Sequence, residues 1–207
     1  MPPLRIAVLL SGTGTSLENL LVQIESGRLD AQVVAVIASK TSAGGLERAR
    51  RRGIPAVAVP RRDHPDVEAF NDALHAELDR HAVDLVALLG FLSPFRVRRF
   101  SGRVINVHPA LIPAFSGKGF YGHHVHEAVL ESGVKLTGAT VHFADDAYDC
   151  GPIILQESVA VRDDDTPDTL AARVQEVERR LVPEAIRLFA EGRLVIEGRR
   201  VRIKPAR

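Results

Sequence analysis

Two polar residues stand two positions apart near the end of an otherwise apolar segment. The stretch VINVHP places Asn106 and His108 at this spacing, with Pro109 directly after them. Residues i and i+2 of an extended strand share a face, so both side chains would point to one side where the proline ends central pairing. An amide and an imidazole N–H aimed at one point can stabilise an oxyanion, and histidine can move a proton near neutral pH. Simple packing of the histidine, with the asparagine in a turn, remains an open alternative.

An acidic residue in a later loop is the candidate partner of this histidine. Asp149 lies in the segment DDAYDCGP, beyond the end of another apolar run. A carboxylate near an imidazole favours the protonated ring and orients it. The sequence does not decide whether Asp149 reaches His108. Asp145 and Asp146 compete for the role, and a solvated loop acid is the structural alternative.

A glycine-rich loop follows the first apolar run. Residues 11–16, SGTGTS, would join a strand to the start of a helix, where backbone N–H groups and the helix dipole favour an anion. Gly12 and Gly14 allow unusual dihedrals or close approach, and Thr15 and Ser16 add hydroxyl donors. The loop lacks the GK[ST] ending of a Walker motif, and Leu17 stands where a dinucleotide fingerprint requires glycine. A small phosphate fits better than a dinucleotide, and a plain strand-to-helix turn is the alternative.

Three histidines in GHHVHE raise the question of a metal. His123 and His126 would be neighbours on a helix because they are three positions apart. No cysteine or closed ligand quartet accompanies them, so no metal is predicted, and a solvated or substrate-facing helix surface is expected. Cys150, the one cysteine, is expected to be a small packing residue, since a nucleophile would need a histidine base within reach.

Apolar runs typical of buried parallel strands alternate with helical patterns in the first half of the chain. The predicted strands cover residues 6–10, 33–38, 56–59, 85–89 and 104–107, and the predicted helices cover 16–25, 45–52, 67–81 and 94–100. This alternation indicates a doubly wound α/β fold with a mostly parallel central sheet, in which ligands bind beyond the carboxyl ends of the strands.

The second half of the chain predicts a different arrangement. A helix at 122–132 precedes strands at 136–143 and 153–161, which would form an antiparallel extension of the sheet. A long C-terminal helix is predicted at 166–190, with Pro167 in its first turn and a kink or break at Pro183. Residues 193–203 predict a terminal hairpin. No linker or repeat interrupts the chain, so residues 1–207 are expected to form a single domain.

Composition and charge narrow the class of protein. The 207 residues are 45% hydrophobic and 26% charged, which is typical of a soluble globular protein. A net charge of +1 offers no broad footprint for nucleic acid, and no apolar stretch approaches the length of a membrane span. One cysteine, and an N-terminal apolar run too short for a secretion signal, indicate a cytoplasmic protein.

Three segments together resemble phosphoribosylglycinamide formyltransferases. They are SGTGTSLENL, INVHPALIPAFSGKG and TGATVHFADDAYDCGPIILQ, and the resemblance covers essentially the whole chain. It implies a parallel-stranded α/β fold and transfer of a formyl group from the co-substrate 10-formyltetrahydrofolate to the amine of 5-phosphoribosylglycinamide (GAR) in purine biosynthesis. The expected partners are these two small molecules, with no metal, nucleic acid or membrane, and a weak homodimer is a possible assembly.

The resemblance also implies roles for residues. Asn106, His108 and Asp149 match the catalytic residues, and a glutamate on the long helix would hold the ribose hydroxyls. The residues implied to bind GAR are Gly14, Thr15, Ser16, Gln175, Glu176, Val177 and Glu178. Those implied to bind formyl-folate are Leu92, Ser93, Pro94, Phe95, Asn106, Asp145, Asp146, Ala147, Tyr148 and Asp149.

Two departures from the family pattern concern the folate pocket. Val67 stands where some relatives have an arginine that contacts the folate, and Arg61 or Arg62 could substitute for it. The loop after Gly90 is also shorter than in some members.

Other functions are compatible with the same residues. Formyltetrahydrofolate hydrolases use the same Asn–His–Asp set with water as acceptor, although an additional N-terminal regulatory domain would be expected. Methionyl-tRNA formyltransferases would carry a C-terminal RNA-binding domain, whereas only a hairpin is predicted here after the long helix. A non-catalytic module would bind a phosphosugar or folate without formyl transfer.

Overall fold

The computed structural model describes residues 2–206, which divide into two compact units between residues 105 and 106. The single domain expected over residues 1–207 stays a prediction, and residues 1 and 207 lie outside the described part of the chain. Apart from one helix, the predicted elements agree with the observed ones to within two residues at either end.

The first unit alternates strands and helices. Strands β1 (Leu4–Leu10), β2 (Ala31–Ala38), β3 (Ala56–Ala58) and β4 (Leu85–Leu88) are joined through α1 (Thr15–Glu25), α2 (Gly44–Arg50) and α3 (Val67–Asp79). β1 pairs in parallel with β2 and β4, and β2 pairs in parallel with β3. Residues 6–10 of β1 are fully buried, which explains their uninterrupted apolar pattern.

The second unit carries the antiparallel part of the sheet. After β5 (Val104–His108), which contains the boundary between the units, come α4 (His123–Ser132), β6 (Leu136–Phe143), β7 (Ile153–Ala160), α5 (Pro167–Ala190), β8 (Leu194–Glu197) and β9 (Arg200–Ile203). The strand order is β3-β2-β1-β4-β5-β6-β7-β9-β8. β6 is antiparallel to β7, and β8 is antiparallel to β9. The predicted α/β class, with its antiparallel extension, long C-terminal helix and terminal hairpin, is confirmed.

The long helix α5 begins with a capping box. Thr166 Oγ1 accepts from Thr169 N (3.3 Å), and the Thr169 hydroxyl accepts from Thr166 N (3.0 Å). Its buried side, which includes Leu170 and Val174, packs against β6 and β7. The helix continues through Pro183, so no break occurs there, because packing along its length outweighs the hydrogen bond that the proline removes. Of the helices within residues 2–206, none has the length and apolar character needed to cross a membrane.

The helix predicted at 94–100 is wrong, since only Arg98–Phe100 forms a short 3₁₀ turn. Side chains of α3 bind the backbone that precedes this turn. Asn71 accepts from Arg96 N (2.7 Å) and donates to the Pro94 carbonyl (3.2 Å), and His75 Nε2 donates to the Arg96 carbonyl (2.8 Å). These bonds satisfy backbone groups that a helix would pair internally, so the segment forms no helix.

Candidate active site

The structure brings Asn106, His108 and Asp149 together within the second unit. β5 supplies the first two residues, and the loop after β6 supplies the third. His108 Nδ1 lies 3.5 Å from Asp149 Oδ2, and Asn106 Nδ2 lies 3.4 Å from Asp149 Oδ1. His108 is buried, with 4% exposure. Among the acids that the sequence left as alternatives, Asp149 is the one beside the histidine, whereas Asp145 and Asp146 are exposed.

A fourth member of this cluster, His142 on β6, is not among the predicted site residues. His142 Nδ1 donates to the Phe143 carbonyl oxygen (2.9 Å), which leaves Nε2 of the neutral ring as acceptor for the Asn106 amide (3.0 Å). The same Nε2 lies 3.7 Å from Asp149 Oδ1. The available signal was a histidine near the end of a buried strand, shortly before the acidic loop.

The segment after β5 folds back over the predicted catalytic side chains. The Phe115 carbonyl oxygen accepts from His108 Nε2 (2.7 Å), and Gly117 N donates to Asp149 Oδ2 (3.0 Å). Thr140 of β6 anchors the start of this segment through hydrogen bonds of 2.6 and 3.1 Å to its backbone. Both ring nitrogens of His108 therefore face acceptors supplied by the protein itself.

Burial and charge oppose each other in this cluster. Burial lowers the pKa of His108 and outweighs the Asp149 carboxylate and the Phe115 carbonyl, which both raise it. Burial raises the pKa of Asp149, but its contacts, which include the charge of His108 and the Gly117 N–H, lower the pKa by more, so the net pKa lies below its usual value. The cluster thus holds a carboxylate beside an imidazole, and burial opposes the imidazolium that the sequence led us to expect.

The predicted phosphate loop lies in the first unit, between β1 and α1. Gly14 directly precedes α1 with a φ of 77°, and a Cβ there would lie 2.6 Å from Gly45 Cα, so this position requires glycine. The N-cap residue of α1 is Gly14, which has no side chain to cap the helix, so the first turn at Thr15 and Ser16 receives no side-chain cap from that position. Such a helix start suits an anion.

The residues predicted to bind folate lie in two segments. In the first unit, Leu92 is 50% exposed, whereas Phe95 is buried and stacks on His75 with ring centroids 5.4 Å apart. The Phe95 side chain therefore belongs to the core of its unit. Ser93 and Pro94 are half-buried. In the second unit, the exposed residues of the acidic loop are Asp145, Asp146, Ala147 and Tyr148.

Gly151 fixes the end of the acidic loop. A Cβ at this position would lie 1.8 Å from the Phe143 carbonyl oxygen, and Phe143 N donates to the Pro152 carbonyl (2.9 Å). The chain therefore passes directly against the end of β6 just after Asp149, which has a φ of 53°. Cys150, between these residues, is exposed, so the expected packing role is wrong.

The predicted GAR segment on α5 shows three different environments. Gln175 and Glu176 are exposed, and Val177 is buried with 4% exposure, so the valine side chain packs in the core. Glu178 is half-buried. Burial raises the pKa of Glu178 to about 7. This carboxyl group can therefore donate or accept a hydrogen bond near neutral pH, as recognition of hydroxyl groups requires.

The histidines of α4 are not equivalent. His123 and His124 are exposed, as expected of a solvated face, but His126 is buried and its Nδ1 has no partner within the described chain. Burial, with smaller contributions from His123 and His108, lowers the pKa of His126 to about 4. Across residues 2–206, no group of three or more His, Cys, Asp or Glu side chains is arranged to hold a metal ion.

Val67, at the position where some relatives have arginine, is the first residue of α3. Arg61 Nη1 donates to the His64 carbonyl (2.8 Å), whereas Arg62 is exposed, with its Nε 3.6 Å from Asp63. Arg62 is the more accessible of the two arginines to a ligand.

The sequence and the fold match known proteins closely. The formyl transferase family model matches residues 4–186. The chain is 39% identical to the phosphoribosylglycinamide formyltransferase of Escherichia coli (strain K12), over 92% of this chain and 89% of that protein. It is 39% identical to the trifunctional purine biosynthetic protein adenosine-3 of Gallus gallus, over 91% of this chain but only 18% of that protein. The crystal structure of glycinamide ribonucleotide transformylase 1 from Symbiobacterium toebii superposes with a TM-score of 0.92 at 46% identity, covering 98% of this chain and 95% of that one. The chain belongs to the formyl transferase family.

Proposed function

We propose that the chain transfers a formyl group from 10-formyltetrahydrofolate to the glycinamide amine of GAR, giving formyl-GAR and tetrahydrofolate, in de novo purine (IMP) biosynthesis. The observation that carries this proposal is the convergence of Asn106, His108 and Asp149, with His142 accepting from the asparagine amide. The names of the E. coli and S. toebii relatives point to the same reaction.

The proposed reaction exchanges one C–N bond for another. The acceptor amine bonds to the formyl carbon, the bond from that carbon to N10 of the folate breaks, and one proton passes from the amine to N10. Negative charge develops on the formyl oxygen between these events. We assign Asn106 Nδ2–H and a His108 ring N–H to stabilise that charge, since fixed donors in a buried site are most effective there.

The hydrogen bonds of the cluster indicate how these donors become available. His108 Nε2–H would exchange the Phe115 carbonyl for the formyl oxygen, and Asn106 would turn from its long 3.4 Å contact with Asp149 to the same atom. Asp149, whose pKa is lowered, stays ionised at neutral pH and favours a proton on His108 as negative charge builds nearby.

The binding roles follow the chemistry of each segment. The uncapped start of α1, at Gly14, Thr15 and Ser16, would bind the phosphate of GAR. The helix segment Gln175, Glu176, Val177 and Glu178 would bind its ribose, with Glu178 as the hydroxyl partner. Two segments are assigned to formyl-folate, which are Leu92, Ser93, Pro94 and Phe95 in the first unit and Asp145, Asp146, Ala147, Tyr148 and Asp149 in the second.

One assay separates the candidate functions. The purified chain is mixed with 10-formyltetrahydrofolate with and without GAR, and release of tetrahydrofolate and formation of formyl-GAR are measured. Release only with GAR supports the transferase. Release without GAR would identify a hydrolase, and no release at all would leave a binding module.

Further expectations accompany this function. We propose that the enzyme acts in the cytoplasm as a single domain, needs no metal, binds no nucleic acid or membrane, and forms at most a weak homodimer. Activity that survives dialysis against a chelator would support the statement that no metal is needed. A mass that depends on protein concentration in sedimentation would support a weak homodimer. Activity that is lost with a chelator and restored by one metal would contradict the statement that no metal is needed.

A further inference from the structure

Ser11 makes three hydrogen bonds just after β1 ends, all within the first unit. Its backbone N–H donates to the Gly90 carbonyl (3.0 Å), and its Oγ accepts from Leu92 N (2.9 Å). The same Oγ lies 2.6 Å from Ser39 Oγ. Ser11 and Ser39 are buried, with 5% and 4% exposure. The Ser11 hydroxyl, bonded to that of Ser39, thus joins the first residue of the glycine-rich loop to the first residue of the 92–95 segment.

These bonds hold the chain where the β1–β4 pairing has ended. β4 ends at Leu88, and Gly90, with a φ of 70°, turns the chain away from the strand direction. The Ser11 hydroxyl then provides the acceptor that Leu92 N–H would otherwise lack. Leu92 is 50% exposed, so packing alone holds it weakly. The hydrogen bond to Ser11 therefore contributes more to fixing the position of Leu92.

We infer that Ser11 is a positioning residue, supported by Ser39, that fixes the start of the 92–95 segment to the loop at residues 12–16. This inference rests on the proposed function, which assigns the first segment to formyl-folate and the loop to GAR. Ser11 acts through Leu92 and the backbone, and its hydroxyl keeps the folate-binding segment in the geometry that the substrate requires.

Removal of the Ser11 hydroxyl is the direct test. Ser11→Ala leaves Leu92 N–H without its acceptor and should raise the KM for 10-formyltetrahydrofolate about tenfold, with kcat within about threefold of the wild-type value. The KM for GAR should rise less, because the bond from Ser11 N to Gly90 persists. Ser39→Ala keeps the acceptor of Leu92 and should raise the folate KM about threefold.

Ser26→Ala is the matched control. Ser26 lies in the same unit, and its hydroxyl likewise accepts from an N–H group (Arg28 Nε, 2.9 Å) and donates to an oxygen (the Gln23 carbonyl, 3.1 Å), but it is exposed. Both KM values should stay at the wild-type level in this variant. The comparison separates loss of a serine hydroxyl in general from loss of this one.

The outcomes are distinguishable. A folded Ser11→Ala variant with an unchanged folate KM would overturn the inference, as would a fall in kcat with both KM values intact. If thermal unfolding shows that Ser11→Ala does not fold, the folate KM of Ser39→Ala decides, and an unchanged value there overturns the inference as well. A wild-type chain that transfers no formyl group would instead overturn the proposed function.

Discussion

The proposed catalytic cluster and the proposed phosphate loop are built from different parts of the chain. The cluster consists of side chains, and its members Asn106 and Asp149 are 43 positions apart. The phosphate loop is one short stretch whose backbone N–H groups are set by a glycine before α1. A backbone site depends on local conformation, whereas a side-chain site depends on how distant segments meet. The cluster is proposed to stabilise charge during the reaction, so substitutions there should act mainly on kcat. The loop is proposed to bind the phosphate of GAR, so substitutions there should act mainly on the KM for GAR.

The largest effect is expected at His108. His108→Ala removes a donor to the developing oxyanion, so kcat should fall about 10²- to 10³-fold while both KM values change only severalfold. Steady-state kinetics with each substrate varied measures the split. His124→Ala, at an exposed histidine whose Nδ1 lies 3.1 Å from Glu127, is the control. Nearly normal turnover of His108→Ala would contradict the proposed mechanism.

Gly14 tests the backbone side of the comparison. Gly14→Ala should raise the KM for GAR about 10- to 100-fold with a smaller change in kcat, because the left-handed φ costs an alanine roughly 1–2 kcal/mol and the new Cβ collides with Gly45. Gly27→Ala has a similar φ of 72° with nothing within 4 Å of the added atom, so it measures the strain alone. Equal effects of the two variants on the KM for GAR would argue against a phosphate at this loop.

His142 tests whether the side chains of the cluster orient one another. His142→Ala removes the acceptor of Asn106 Nδ2, and kcat should fall about tenfold because the amide loses its fixed orientation. His142→Gln, which offers a side-chain oxygen, should recover part of the loss. Stopped-flow formyl transfer under saturating substrates is the measurement. A change confined to KM would mean that His142 has no part in orienting the amide.

The smallest expected effect is a change in thermal stability when Glu178 is substituted. Its pKa of about 7 exceeds the ordinary 4.5, so the native state binds this proton more tightly and loses stability as the pH rises from 4.5 towards 7. Glu178→Gln cannot ionise, and its Tm should exceed the wild-type Tm by about a few degrees above pH 7 but not below pH 4.5. Calorimetry across this range measures the difference, with Glu176→Gln as the exposed control. A constant difference across the range would show that Glu178 ionisation is not responsible.

The geometry of strands and turns allowed part of the site to be predicted from the sequence. Strand geometry predicted that Asn106 and His108 share a face, and the glycine-rich turn into α1 predicted unusual dihedrals or close approach at Gly12 or Gly14. The alternation of apolar runs and helical patterns predicted the parallel sheet, because strands buried on both faces have uninterrupted apolar sequences.

Tertiary contacts decided the rest. Asp145, Asp146 and Asp149 are the same residue type in one loop, and only the path of the chain at Gly151 selects the third. The helix expected at 94–100 is absent because Asn71 and His75, from α3, bind its backbone, and no local pattern shows such partners. His142 was missed since a single histidine on a buried strand is more often a packing residue than part of a catalytic site.

The close contact at Gly151 has a consequence for protein engineering. Because residues 149–152 are fixed against the end of β6 and residues 145–148 are exposed, the exposed part is a cassette whose sequence can be exchanged between two fixed anchor points. Libraries of loops inserted between Ala144 and Asp149 would vary the contacts offered to a folate analogue, while the carboxylate that faces His108 stays in place.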